Sequence, residues 1–338
     1  MVHIGNRSIS PSRAAIRWTR GLACCALLCL AAGCPVEPLD RLTLPGPYTA
    51  VLELVHVDDG WRYPLDLSVI YPDADPPEGG WPVILFSTGW NQARASYDGM
   101  ASQLAEHGFV VVIRYFPSLG IWDLGFDLFD LHLEQCDAVL AWCAEQNALP
   151  GSLLYGRCDM TRVGATGHSM GGHVSIVLAK RDPRVQAVVS LDALVDRPGL
   201  YAVGDLSELR APTLYIGAEE GGLCSTFTLS MDDPVWLYDY TPAPRQEILI
   251  TGADHLDFIQ HRTGEPLIDT QLCSVGSADG YLVRDIASRY MIGWFTYFLK
   301  QRPEYRTYFD GACSQEDEQS GAVAIRRALN ETDLIGEP

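Results

Sequence analysis

The chain has 338 residues, 47% of them apolar, enough for one large α/β domain with a substantial core or at most two small ones. Its formal charge is −19, from 24 basic against 43 acidic residues, which excludes nucleic acid as a partner because the phosphate backbone would be repelled. The surplus acid reads as a solvated surface rather than a cation site, and no metal or cofactor is expected.

Residues 1–33 hold Arg7, Arg13, Arg17 and Arg20 with no acid, then the apolar run Leu22 to Ala32 and Gly33-Cys34. That run is too short to span a bilayer as a lasting helix. A basic start, a short apolar core and small residues ahead of a cysteine resemble the bacterial lipoprotein signal, with Ala31 where leucine is usual. The resemblance implies a signal over 1–33, lipidation of Cys34 and membrane attachment through it, on the periplasmic or cell-surface side. A plain secretory signal is the alternative, and both export the chain. Six cysteines then remain: Cys136, Cys143, Cys158, Cys224, Cys273 and Cys313. An even count in an exported chain suggests disulfides, and Cys143 with Cys158 and Cys224 with Cys273 are the first pairings to test. Cys136 and Cys143, seven apart on one predicted helix, cannot bond to each other.

After a Pro-rich linker (34–46), alternating apolar runs at Tyr48 to Val57 and Tyr63 to Tyr71 predict an antiparallel strand pair turning at Asp58-Asp59-Gly60. A rhythm of short apolar strands and longer helices follows. Strands are expected at Val83 to Phe86, Phe109 to Arg114, Arg162 to Thr166, Val185 to Leu191, Thr213 to Ile216 and Glu247 to Thr251. Helices are expected near Ala95 to His107, Asp127 to Asn147, Met170 to Lys180 and Val283 to Lys300. Continuous β-branched runs between helices indicate a mostly parallel sheet covered on both faces, over 47–311. The apolar stretch Phe116 to Phe129 either lines an acyl or aromatic pocket or begins the next helix. Gly217 to Pro244 and Arg262 to Gly280 are expected rim loops, and the acidic, weakly periodic 312–338 is an expected mobile tail.

The most informative stretch is Gly167-His168-Ser169-Met170-Gly171, a Gly-x-Ser-x-Gly between a strand run and a helix run. A strand that reverses into a helix at one residue leaves that residue exposed on a sharp turn, and glycines two before and two after give it room. A serine hydroxyl needs an imidazole to take its proton and a carboxylate to fix the imidazole tautomer. His255, after the strand Glu247 to Thr251 and Gly252-Ala253-Asp254, stands where such a base is required. His168 and His173 flank the serine too closely, and His261 follows too far along. Two positions compete for the acid: Asp192, ending one strand, and Glu219 or Glu220, following the next.

These motifs resemble the α/β-hydrolase superfamily, and within it chlorophyllases, the plasma platelet-activating-factor acetylhydrolase and bacterial cutinase-like (dienelactone hydrolase-like) polyester hydrolases. The similar stretches include Gly46-Pro47-Tyr48, Gly108-Phe109-Val110-Val111-Val112, Tyr155-Gly156-Arg157, Gly167-His168-Ser169-Met170-Gly171-Gly172, Ser190-Leu191-Asp192 and Gly252-Ala253-Asp254-His255. In the first two groups the acid sits at the earlier strand end, which matches Asp192. The cutinase-like group uses the later one, where this chain has Gly221 at the expected aspartate, so the resemblance favours Asp192 and keeps Glu219 and Glu220 as alternatives. It also implies oxyanion donors from the Met170 N–H and from the loop Ser87-Thr88-Gly89-Trp90-Asn91, where Trp90 N–H is the choice. The expected function is hydrolysis of a small-molecule or lipid-like carboxylic ester through an acyl-enzyme. Its rivals are a non-catalytic binding lipoprotein on the same fold, and an amidase or acyltransferase.

Overall fold

A computed structural model of the chain describes residues 45–58, 64–115, 126–193, 205–220, 236–260, 276–330 and 334. The expected signal, Cys34, most of the linker, Cys224, Cys273, His261 and most of the apolar stretch from Phe116 lie outside these residues. The described chain folds as β1 (Ala50–Val57), β2 (Leu65–Pro72), β3 (Trp81–Ser87), α1 (Asp98–Glu106), β4 (Val110–Tyr115) and α2 (Phe126–Ala148). It continues with β5 (Cys158–His168), α3 (Met170–Arg181), β6 (Val185–Leu191), β7 (Thr213–Ala218), α4 (Trp236–Tyr240), β8 (Arg245–Ile250), α5 (Gly280–Lys300), α6 (Ala312–Ser320) and β9 (Val323–Ala328).

All nine strands form one sheet in the order β1-β2-β4-β3-β5-β6-β7-β8-β9. Strands β3 to β8 run parallel, while β1 and β2 form the expected antiparallel pair, and β9 closes the other edge antiparallel to β8. This is the α/β-hydrolase architecture. The apolar runs are continuous because each strand feeds two cores. Val83 and Leu85 of β3 point to one face, and Ile84 and Phe86 point to the other. On the first face they meet Val139 and Leu140 of α2 and Val174 and Ile176 of α3. On the second they meet Met100 and Leu104 of α1 and Tyr290 and Trp294 of α5. Each such fully buried side chain contributes about 1.5–3 kcal/mol relative to exposure, so truncating Phe86 to alanine costs about 3–5 kcal/mol.

Two expectations are corrected. The segment from 312, expected as a mobile tail, carries α6 and β9, and β9 pairs with β8 from Ile250↔Val323 to Arg245↔Ala328. Its order comes from tertiary partners: β9 satisfies the outer edge of β8, and Asp317 of α6 accepts from the Tyr290 hydroxyl at 2.9 Å beside Arg289. The expected Cys143–Cys158 bond is absent. Cys136, Cys143 and Cys158 are buried free thiols. Burial pushes Cys158 up to about 12 and Cys143 well above its usual range, so both pack as small apolar groups in the core between α2 and the sheet.

Candidate active site

The strand order reverses at β3, with β4 on one side and β5 on the other. In an open parallel sheet a crevice forms at such a reversal, outside the carboxyl ends of the strands. Three of those ends, on β5, β6 and β8, carry the residues that the sequence singles out.

Strand β5 ends at His168 and α3 begins at Met170, leaving Ser169 alone to make the turn. Its backbone sits at φ 56° and ψ −121°, a region costing a non-glycine residue on the order of 1–3 kcal/mol. The turn closes only because its neighbours lack side chains: a Cβ on Gly167 would lie 2.5 Å from the Ser87 carbonyl oxygen, and one on Gly171 only 2.1 Å from it. The same contacts press the loop after β3 against the start of α3. Trp90 lies in that loop, and Met170 opens a helix whose first N–H groups have no intrahelical acceptor.

Ser169 N–H donates to the Leu191 carbonyl at 2.9 Å, which brings the turn beside the end of β6. There Asp192 also has a positive φ, 40°, and its N–H donates to the Ile216 carbonyl at 2.7 Å. Both carboxylate oxygens are engaged. Oδ1 accepts from Ala218 N–H at 3.1 Å, and Oδ2 meets His255 Nδ1 at 2.5 Å. Ser169, Asp192 and His255 are all buried, which shields this pair from water.

His255 begins a one-turn 3-10 helix, His255–Phe258, whose entry is fixed by reciprocal caps: the Asp254 carboxylate accepts from Leu256 N–H, and that of Asp257 accepts from Asp254 N–H. Arg284 of α5 donates to the carbonyls of Asp257 and Ile259. Glu219 sits next to this loop, but its carboxylate accepts from Gly252 N–H at 2.9 Å, and Glu220 N–H donates to the Ala253 carbonyl. The alternative acids therefore hold the backbone that presents His255, while Asp192 reaches the ring.

Among the described residues, other histidines lie away from this pair. His56 pairs with Asp66 on the exposed β1–β2 ribbon, His132 accepts from buried Arg114, and His173 lies in α3. His168 is buried beside His255, their ring centroids 4.6 Å apart. Burial, then the neighbouring imidazole, pushes its pKa down to about 3, so it is neutral at ordinary pH. Among the described residues, no group of three or more His, Cys, Asp or Glu side chains is arranged to hold a metal ion.

A family model described as PET hydrolase-like matches residues 66–329, from β2 through β9. The chain belongs to the PET hydrolase-like family. Curated relatives of this PET hydrolase-like chain include Cutinase 2 of Thermobifida cellulosilytica, 27% identical over 152 residues, which are 45% of this chain and 51% of that protein. Cutinase est2 of Thermobifida alba is 25% identical over 190 residues, 56% of each chain. The platelet-activating factor acetylhydrolase of Cavia porcellus is 23% identical, covering 72% of this chain and 61% of its own. The chain thus spans about half the length of the cutinase relatives it matches. The match to β9 agrees with the correction at the C-terminus. What the sequence reading missed is the surroundings of His255: His168 was set aside for its nearness to Ser169, and nothing local links it to Tyr97, 71 positions earlier, whose hydroxyl meets its ring.

Proposed function

We propose that this PET hydrolase-like chain is a serine hydrolase of carboxylic esters that works through an acyl-enzyme. The observation that carries this reading is the 2.5 Å contact of His255 Nδ1 with Asp192 Oδ2, beside a serine held in a strained strand-to-helix turn. In the proposed cycle, Ser169 Oγ attacks the ester carbonyl while His255 Nε2 accepts its proton. Asp192 keeps the other ring proton on Nδ1 and stabilises the imidazolium. The tetrahedral oxyanion is held by Trp90 and Met170 N–H, each worth about 3–4 kcal/mol of barrier. His255 then protonates the departing alkoxide. In the second half it takes a proton from the water that attacks the acyl carbonyl, then returns that proton to Ser169 Oγ as the carboxylic acid leaves. The relatives named for cutinase and acetylhydrolase activity, and the family itself, support an ester rather than an amide substrate. We further propose that the arginine-led apolar segment before Cys34 exports the chain and that Cys34 carries a lipid.

Turnover of p-nitrophenyl butyrate and of the matched anilide, together with labelling by a fluorophosphonate, tests the reading. Ester turnover well above anilide turnover, with labelling abolished in Ser169→Ala, is expected. A folded protein that neither labels nor turns over ester is instead a binding protein on this fold. Membrane-fraction retention that is lost in Cys34→Ala supports the anchor, and retention unchanged by that substitution removes it.

A further inference from the structure

We propose that Tyr97 and His168 are positioning residues that hold the backbone of His255, and with it the general base, in register with the oxyanion loop. This rests on the reading of His255 as the base. The hydrogen-bond directions follow one from the next. Gly89 N–H donates to the Tyr97 hydroxyl oxygen at 3.1 Å. The Tyr97 hydroxyl hydrogen therefore points to its other neighbour, His168 Nδ1, at 2.9 Å. With Nδ1 accepting, the single ring proton of neutral His168 sits on Nε2, which donates to the His255 carbonyl oxygen at 2.9 Å. Tyr97 and His168 are each 1% exposed, so water does not compete for these bonds.

The line joins three segments far apart in sequence: the loop after β3, the last residue of β5 and the turn after β8. Gly89 precedes Trp90, the proposed oxyanion donor, so one chain of bonds ties both halves of the site together. The fit is close, since a Cβ on Gly89 would lie 3.1 Å from both His168 Nδ1 and the Tyr97 hydroxyl. Packing reinforces it, with the His168 ring stacked on Phe258 in the same 3-10 turn at 5.8 Å. A neutral relay also suits the chemistry. A second cation 4.6 Å from His255 would oppose the imidazolium that forms there during attack. A neutral His168 anchors the main chain without that opposition.

The test compares full-length Ser169→Ala, His168→Phe, His168→Gln and Tyr97→Phe by kcat and KM on p-nitrophenyl butyrate, with thermal melts of each. His168→Phe keeps a ring and loses both bonds, so kcat should fall about 30- to 100-fold with KM within about 2-fold, the scale of an ångström-level misplacement of a reacting group. His168→Gln retains a donor at the Nε2 position and should return kcat to within about 5-fold of the parent, whereas Tyr97→Phe, which loses only the outer bond, should lower it about 5- to 10-fold. Wild-type kcat in His168→Phe or Tyr97→Phe overturns the proposal, as does an equal fall in the glutamine and phenylalanine variants. Should His168→Phe not fold, Tyr97→Phe and His168→Gln decide on the same terms. Loss of turnover in Ser169→Ala alongside any of those results leaves the esterase reading standing and removes only this inference. Turnover surviving in Ser169→Ala overturns both.

Discussion

Replacing Asp192 by asparagine removes a charge while keeping the side chain's shape, and the structure dictates how the new amide must sit. Oδ1 of Asp192 accepts from Ala218 N–H, so the amide oxygen has to take that position and the NH2 group has to occupy the place of Oδ2. There it faces His255 Nδ1, which must become an acceptor, and the ring proton moves to Nε2. With its proton on Nε2, His255 could not take the serine's proton in the proposed cycle. The expected loss in kcat is about 10³- to 10⁴-fold, or about 4–5.5 kcal/mol at 1.36 kcal/mol per decade, with little change in KM. Steady-state ester hydrolysis and the rate of fluorophosphonate labelling both measure it. Glu219→Gln is the internal control: its amide oxygen still accepts from Gly252 N–H, so kcat should stay within about 3-fold of the parent. A loss below about 10-fold in Asp192→Asn, or an equal loss in the two variants, would refute the assignment of the acid and the tautomer argument with it.

Three further outcomes follow from the same contacts. His168 has a folded pKa of about 3 against about 6.5 unfolded, so between those values the unfolded chain binds more protons; stability should be full above pH 6.5 and fall on acidification. Denaturant titrations at pH 7 and pH 4.5 should therefore show a drop about 2 kcal/mol smaller in His168→Gln than in the parent, and equal drops would contradict the buried neutral imidazole. Gly171→Ala places a methyl 2.1 Å from the Ser87 carbonyl oxygen and 2.6 Å from that of Thr88, both backbone, so soluble yield and melting temperature should collapse, corresponding to more than about 4 kcal/mol. Cys136, Cys143 and Cys158 should resist a thiol reagent in the native protein and react in denaturant without prior reduction; failure of Cys143 and Cys158 to react after unfolding would restore the disulfide.

Local sequence carried far where the physics is local. The Ser169 turn is written into Gly167 and Gly171 because a Cβ on Gly167 would lie 2.5 Å from the Gly171 backbone, a clash contained within five residues. The parallel strands were legible because burial on both faces demands runs such as Val83 to Phe86, and Val185–Leu191 falls where its pattern places it. The chain's own pattern leaves Asp192, Glu219 and Glu220 open as partners of His255, and only the family resemblance, with Gly221 at the later aspartate position, favours Asp192. Asp192 and Glu219 both stand just past the ends of neighbouring parallel strands, β6 and β7, and only the left-handed backbone at Asp192 turns its carboxylate toward the imidazole.

What the sequence by itself determined was the Gly-x-Ser-x-Gly turn, the strand and helix rhythm and the position of His255 just past β8, since each follows from neighbours in the chain. The tertiary structure decided that Asp192 meets the His255 ring while Glu219 turns to Gly252 N–H, that Val323–Ala328 completes the sheet, that Cys143 and Cys158 stay apart as thiols, and that Tyr97 reaches His168. The reason is shared: an edge strand, a buried thiol or a hydrogen bond across 71 positions takes its energy from partners that only the packed sheet brings within reach.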